Sequence, residues 1–434
     1  LTTTTLDELY AKLVNDEDAR VCREIDEAAC RVVPGNFFRQ IAVFTLTKLG
    51  DTLISPKTTL TSVFAAVGAP VWMVGWLVPL RESGSLLPQL VIAAYVRRQP
   101  VRKWVWVTGG LLQAASVAAM AWMTIALRDA AAGAGLFTAL IVFSLARGLC
   151  SVASKDVMGK TVPKARRGRL SGFASSAAGL VSIVVAGGLL YGFDSREPAV
   201  LAGLLALAAA LWLLASAAYG TIVEYPGETA GGGNALAEGL ERIALLRADR
   251  AFRNFVVARA LLLVSALSPP YIVLLAKRGA EGGLDDLPLF IVASGLAALL
   301  SAPFWGRFAD ASSRRTMIFS SLLASGVAVA AVVAAAVLPR ADWTSWVFVA
   351  LFFALAIAHA GVRLGRKTYV IDLAGGNRRT DYVAVSNTAM GAILLATGAI
   401  TGAASLISVP FVLLLLAAMG VAGAWMSARL PEVQ

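Results

Sequence analysis

At 434 residues, 58% hydrophobic and only 15% charged, the chain has too little polar sequence to wet a globular surface, where about a quarter of residues are charged. Its net charge of +11 is carried by Lys and Arg residues dispersed between apolar runs, without any of the usual nucleic-acid modules, so it speaks for membrane orientation rather than for DNA or RNA. The cysteines Cys22, Cys30 and Cys150 are odd in number and lack a zinc spacing, so we expect free thiols, with no metal and no cofactor.

The chain opens on Thr5 and Glu8, a capping-box pattern ahead of Leu6, Leu9, Tyr10 and Leu13, which predicts a short amphipathic helix. Residues 1–36 hold eight Asp or Glu against four Lys or Arg, an acidic segment distinct from the basic remainder and without the layout of a signal peptide. Apolar runs of about 20 residues, the length that crosses about 30 Å of hydrocarbon, then follow at 37–67, 71–96, 103–127, 136–158, 170–191 and 199–223. After a Gly- and Pro-containing linker, 224–251, whose Leu236, Leu240, Ile243 and Leu246 predict a surface-lying amphipathic helix, they resume at 252–276, 287–308, 316–338, 346–362, 381–405 and 409–428. The expected fold is an all-α polytopic membrane protein of twelve helices, with one six-helix bundle over 37–223 and another over 252–434.

Alternate loops differ sharply in charge. Those near 97–103, 155–169, 224–253, 307–315 and 363–381 hold 22 Lys or Arg, against Arg128, Arg196, Lys277, Arg278 and Arg340 on the other side. Positive loops stay inside, which predicts a cytoplasmic (inner) membrane protein with both termini cytoplasmic. A shift of 212 residues lays Arg102 and Lys103 on Arg314 and Arg315, Lys155 on Lys367, and Gly179 on Gly391, as a duplicated unit would. Ser55 and Pro56 fall opposite Ser268 and Pro269, one residue further on; with Pro270 these mark hinges that interrupt the first and seventh helices.

Ionisable groups are costly inside a bilayer and tend to face a cavity or each other. Counting from the basic-side helix ends at about 1.5 Å per residue, Asp51, Glu82, Arg147 and His359 all lie about 21 to 22 Å deep. Lys48, Asp51 and Ser55 share one helix face, as do Glu82, Ser85 and Gln89. Arg147, Ser151 and Lys155 shift onto His359, Arg363 and Lys367, so the two halves carry matching basic stripes. We take Lys48, Lys57, Arg81, Arg147, Arg259, His359, Arg363 and Gln89 as candidate substrate contacts. Asp51, Glu82 and His359 are the candidate proton-coupling groups. The alternative is structural pairing of Lys48 with Asp51, and of Arg81 or Arg147 with Glu82. Trp72, Trp76, Trp104 and Trp106 read as an interfacial aromatic belt.

Between the eighth and ninth runs lies Gly306-Arg-Phe-Ala-Asp310-x-x-x-Arg314-Arg315. This stretch resembles the loop motif of the major facilitator superfamily, at the place where that family repeats it. The first-half counterpart has Ala94 and Arg98 at the Gly and Asp positions. The resemblance implies a secondary active transporter working by alternating access, with Gly306, Asp310, Arg314 and Arg315 as gate residues and Arg147 where the family often carries a helix-four arginine. Gly306 is expected to permit close helix approach, and Arg314 and Arg315 to face lipid phosphates. The helix-five exporter pattern is met at Gly179, Gly187 and Gly188, while Ile183 and Val184 stand where its Gly-Pro would be.

Basic groups outnumber acids in the expected cavity, which favours a small anionic or zwitterionic solute and proton coupling. The expected partners are that solute, protons and membrane lipids, bound by a monomer. Other readings are an exporter of amphipathic drugs or lipids, and a non-transporting receptor or scaffold. An enzyme is not expected, since His359 has no matched nucleophile; nor is an ATP-driven pump, for want of a Walker-type loop.

Overall fold

The computed structural model describes residues 30–192, 197–227, 229, 244–279, 286–339, 341–373 and 379–433. The expected N-terminal helix, and all of the linker helix before Ala244, lie outside them. Every regular element among the described residues is an α-helix. In the first half these are α1 (Val33–Leu53), α2 (Thr59–Ala66), α3 (Val71–Leu86), α4 (Gln89–Arg97), α5 (Lys103–Ala126), α6 (Asp129–Thr161), α7 (Lys164–Gly192) and α8 (Pro198–Gly220). In the second they are α9 (Leu245–Ala248), α10 (Arg250–Leu261), α11 (Val264–Leu267), α12 (Pro269–Gly279), α13 (Asp286–Ala311), α14 (Ser313–Val337), α15 (Asp342–Leu373), α16 (Arg379–Ser405) and α17 (Val409–Ala428).

Among the described residues, eight spans are long and apolar enough to cross a membrane: α5, α6, α8, α14, α15 and α17, the α10–α12 unit, and the 385–405 portion of α16. The other four expected crossings coincide with α1–α2, α3–α4, α7 and α13, where only shorter apolar stretches such as Ser176–Gly188 and Leu287–Ser301 qualify. Polar residues and breaks account for the shortfall in the first two. The first helix breaks where Pro56 lacks an N–H, and the Thr61 hydroxyl satisfies the Pro56 carbonyl at 2.8 Å. The seventh breaks likewise before Pro269 and again at Leu262 and Leu263, giving three short pieces. The helix bounds follow the 212-residue shift: α6 moved by that amount covers 341–373, against Asp342–Leu373 observed for α15.

Each half is tied at its basic face by a carboxylate four residues beyond its last helix. Glu224, whose side chain is wholly buried, accepts the backbone N–H groups of Arg102 (3.0 Å) and Lys103 (2.7 Å) at the start of α5, and pairs with Lys160 at 2.9 Å. Backbone donors at a helix N-terminus are a favourable seat for an anion. In the second half Glu432 accepts from Ser312 Oγ (3.0 Å) and pairs with Arg314 (2.9 Å) at the start of α14, while the Arg314 and Tyr369 side chains hold the Leu430 and Pro431 carbonyls. Arg314 therefore anchors the C-terminal segment rather than facing lipid phosphates as expected. Arg315 is exposed.

The halves meet through α3 on α16, α7 on α13 and α2 on α12. Along α3 and α16 the backbones approach closely: a Cβ added at Gly75 would lie 2.6 Å from the Tyr271 hydroxyl and 3.0 Å from Gly402 N, and one at Gly402 would lie 2.9 Å from Trp76 Nε1. Ser83 Oγ donates across the seam to the Gly391 carbonyl at 2.8 Å. These contacts run from the face opposite the basic loops to mid-span; α4, which continues toward the basic face, makes no comparable contact with α16 among the described residues. Among the described residues the α3–α16 seam is thus tight on the face opposite the basic loops.

Two expectations are corrected by this packing. Trp76 belongs to the seam, against Gly398 and Gly402, and Trp106 is buried and stacked on Tyr219 at 4.0 Å, so neither joins an aromatic belt. Trp104, two positions before Trp106, faces the other way and is 56% exposed. Cys150 is a free, buried thiol as expected, but Cys30 is disulfide-bonded, to a partner outside the described residues. An odd cysteine count does not exclude one pair.

Candidate functional site

The deep charges do converge, though with other partners than the spacing implied. Asp51 on α1 receives two guanidinium groups on one oxygen, Arg81 of α3 at 2.7 Å and Arg147 of α6 at 2.5 Å. Three helices of the first half are pinned by this triad. Arg81 is further seated over the Phe143 ring, 5.8 Å from its centroid. Glu82, expected as an alternative partner for both arginines, pairs with neither. One residue along a helix turns about 100°, so Glu82 points away from Asp51 and is exposed, within electrostatic reach of Lys57 and Arg366. Lys48 lies between Asp51 and Arg363 in its electrostatic environment.

A second basic group faces the first across the interior. A cavity of about 730 Å³ is lined by Lys57 from the first-helix break and by α12, α13 and α15 of the second half. On α15 the lining face carries Phe352, Ala356, His359, Ala360, Arg363 and Lys367, running from an aromatic inner end toward the basic side. Ser294 and Ser301 line it from α13, and Ser301 Oγ is buried without a hydrogen-bond partner. His359 Nδ1 is 3.2 Å from Ser265 Oγ, a bond from the broken seventh helix that orients the ring. Lys57, Arg363 and Arg366 lie within electrostatic reach of His359. Among the described residues, no carboxylate lines this cavity.

The remaining sequence-predicted residues are dispersed. Ser55 stays in the helix break, its Oγ accepting the Lys57 N–H at 3.3 Å, so the break positions Lys57. Pro269 lines the cavity, with Ser268 and Pro270 buried beside it. Arg259 is held by Ser386 and, at 3.1 Å, by Asn387 of α16, so it ties α10 to α16 and is not brought into the cavity lining. Gln89 opens α4 beyond the Leu87–Pro88 interruption, which breaks the stripe expected with Glu82 and Ser85. Gly306 lines the cavity, and a Cβ there would meet nothing within 4 Å, so it does not serve close helix approach as expected. The side chain of Asp310 lies outside the described residues.

Arg366 and Trp305 are the residues that sequence reasoning missed. Arg366 stands seven positions after His359 and three after Arg363, a helical spacing that places it on the same stripe. Trp305 carries no such signal, because its role comes from packing: its Nε1–H donates to the Ile357 carbonyl at 2.9 Å, and a Cβ on Gly361 would lie 2.6 Å from its ring.

No protein-family model and no curated protein sequence matches the chain. Solved structures do. A mutant of the nucleoside transporter NupG superposes with a TM-score of 0.67 at 12% identity, over 91% of this chain and 99% of its own. The inward-open xylose transporter XylE from E. coli gives 0.66 at 14%, over 92% and 96%, and a POT family transporter with a bound thioalcohol-conjugated peptide gives 0.66 at 11%, over 89% and 95%. At such identities the likeness speaks for architecture. Among its described residues the chain is all-α, with the apolar spans of a multi-pass membrane protein and the fold of these transporters.

Proposed function

We propose that the protein is a secondary active transporter that carries a small organic anion by alternating access, with the cavity between Lys57 and α15 as its cargo site. One observation carries the reading: the cavity wall is rich in hydrogen-bond donors and cations (Lys57, Arg363, Lys367) and has no carboxylate among its described residues. A neutral polyol needs acceptors as well as donors, whereas an anion brings the acceptors and the compensating charge. The tight α3–α16 seam on the face opposite the basic loops supports a resting state open to the cytoplasm, given that basic loops stay inside. On that orientation the site lies in the inner membrane of a monomer with both termini cytoplasmic.

Within this reading the two acids divide their work. Asp51, shared by Arg81 and Arg147, holds the first half together. Glu82, which has no direct ion pair among the described residues and lies within electrostatic reach of Lys57, Arg366, Arg81 and Arg147, is the group to which this reading assigns proton exchange as the anion enters or leaves. Uptake of a panel of organic anions into proteoliposomes under an imposed pH gradient tests the proposal. Anion-dependent, gradient-driven accumulation supports it, and flux of neutral sugars or hydrophobic cations with none of anions refutes it.

A further inference from the structure

The cations of the cavity are Lys57, Arg363 and Lys367, and apart from Ser294, Ser301 and His359 the rest of its described wall is apolar and built from rigid pieces. Phe352, 2% exposed, is backed by Phe290 with ring centroids 4.9 Å apart. Trp305, 4% exposed, is fixed by its bond to the Ile357 carbonyl and by its seat on Gly361. Ala356 and Ala360, one helical turn apart on α15 between these aromatic residues and Arg363, add little bulk, so the wall there is flat. The volume of about 730 Å³ falls in the range of sites that enclose drug-sized ligands, about 300 to 1,000 Å³. A small, fully hydrated anion would leave the aromatic portion wet.

From this arrangement we infer that the ligand is an amphipathic organic anion with a planar ring: its ring lies along Ala356 and Ala360 between Phe352 and Trp305, and its anionic group meets Lys57 and Arg363. Ser301 Oγ, buried and without a partner, offers one hydrogen bond to a polar edge of the ring system. The inference rests on the anion reading above and sharpens it to one chemical class. It excludes sugars and small polar diacids as the preferred ligands.

The test is direct binding to the purified full-length protein in nanodiscs, by calorimetry, of 2-naphthoate, its neutral amide 2-naphthamide, and succinate. Naphthoate is expected to bind at least tenfold more tightly than either of the others. Filling the slot by Ala356→Trp, or more gently by Ala360→Leu, is expected to weaken naphthoate at least tenfold while succinate changes less than twofold. Succinate binding as tightly as naphthoate, with both variants silent, would overturn the ring inference and leave the anion reading intact. Equal binding of the amide and the acid would overturn the anion reading itself.

Discussion

Replacing Asp51 by Asn removes the one carboxylate that two guanidinium groups share. The Arg81 side chain is 8% exposed and that of Arg147 33%, so neither can turn fully into water when its partner goes. Breaking a buried pair by deleting one member costs about 3 to 5 kcal/mol, because a charge is left uncompensated. The partial exposure of Arg147 and of Asp51 itself, 25%, places the cost at the lower end, about 3 kcal/mol. In a chain of 434 residues each kcal/mol moves the unfolding midpoint by about 1 to 2 °C, since the shift falls as the unfolding entropy grows with size. We therefore expect Asp51→Asn to lower the midpoint in detergent by about 3 to 6 °C, and to abolish counterflow exchange together with gradient-driven accumulation. The further change Arg81→Met in the same protein should recover part of the loss by removing the more buried stranded charge. An unchanged midpoint in the single variant, or one that falls further in the double, refutes a structural role for the triad.

Glu82→Gln should behave in the opposite way, sparing counterflow and thermal stability while abolishing accumulation driven by a pH gradient; uptake assays in proteoliposomes read both. Glu224→Gln keeps an acceptor for only one of the two α5 N–H groups, turns an NH2 donor toward the other and strands Lys160, and should cost about 1 to 3 kcal/mol. Glu432→Gln, at a carboxylate 35% exposed, should cost less, and thermal unfolding of the two side by side measures the difference. Gly402→Leu puts a side chain where Trp76 Nε1 lies 2.9 Å from the would-be Cβ, so it should prop the closed face open. The readout is labelling by a membrane-impermeant thiol reagent of a single cysteine placed at Ala356, which should rise severalfold from the side opposite the basic loops.

Much of this architecture was legible in the residues because a bilayer permits few solutions. Long apolar runs, a charge bias between alternate loops and the 212-residue repeat each follow from the cost of burying backbone and charge in hydrocarbon. The helix breaks at Pro56 and Pro269 were readable for the same local reason. Depth counting brought Asp51 and Arg147 to one level, and they do meet. What counting along a helix does not supply is rotation relative to neighbours. It offered Glu82 to Arg81 and Arg147 and Asp51 to Lys48, whereas Asp51 takes both guanidinium groups and Glu82 is exposed. Trp72, Trp76, Trp104 and Trp106 looked alike in composition, yet Trp76 is taken up by glycines more than 300 residues away and Trp106 by Tyr219. Arg314 was read by analogy with a motif, whereas its partner, Glu432, is a long-range contact that no local pattern announces.

The central claim is that the donor-rich wall between Lys57 and Arg363 binds the anionic group of the cargo. Its most direct test is uptake of a radiolabelled aromatic anion such as 2-naphthoate into proteoliposomes holding the intact protein, Lys57→Met or Arg363→Met. We predict saturable uptake by the intact protein, a loss of at least tenfold in each variant, and unchanged thermal stability in both. Uptake that persists in both variants at the intact rate would contradict the claim.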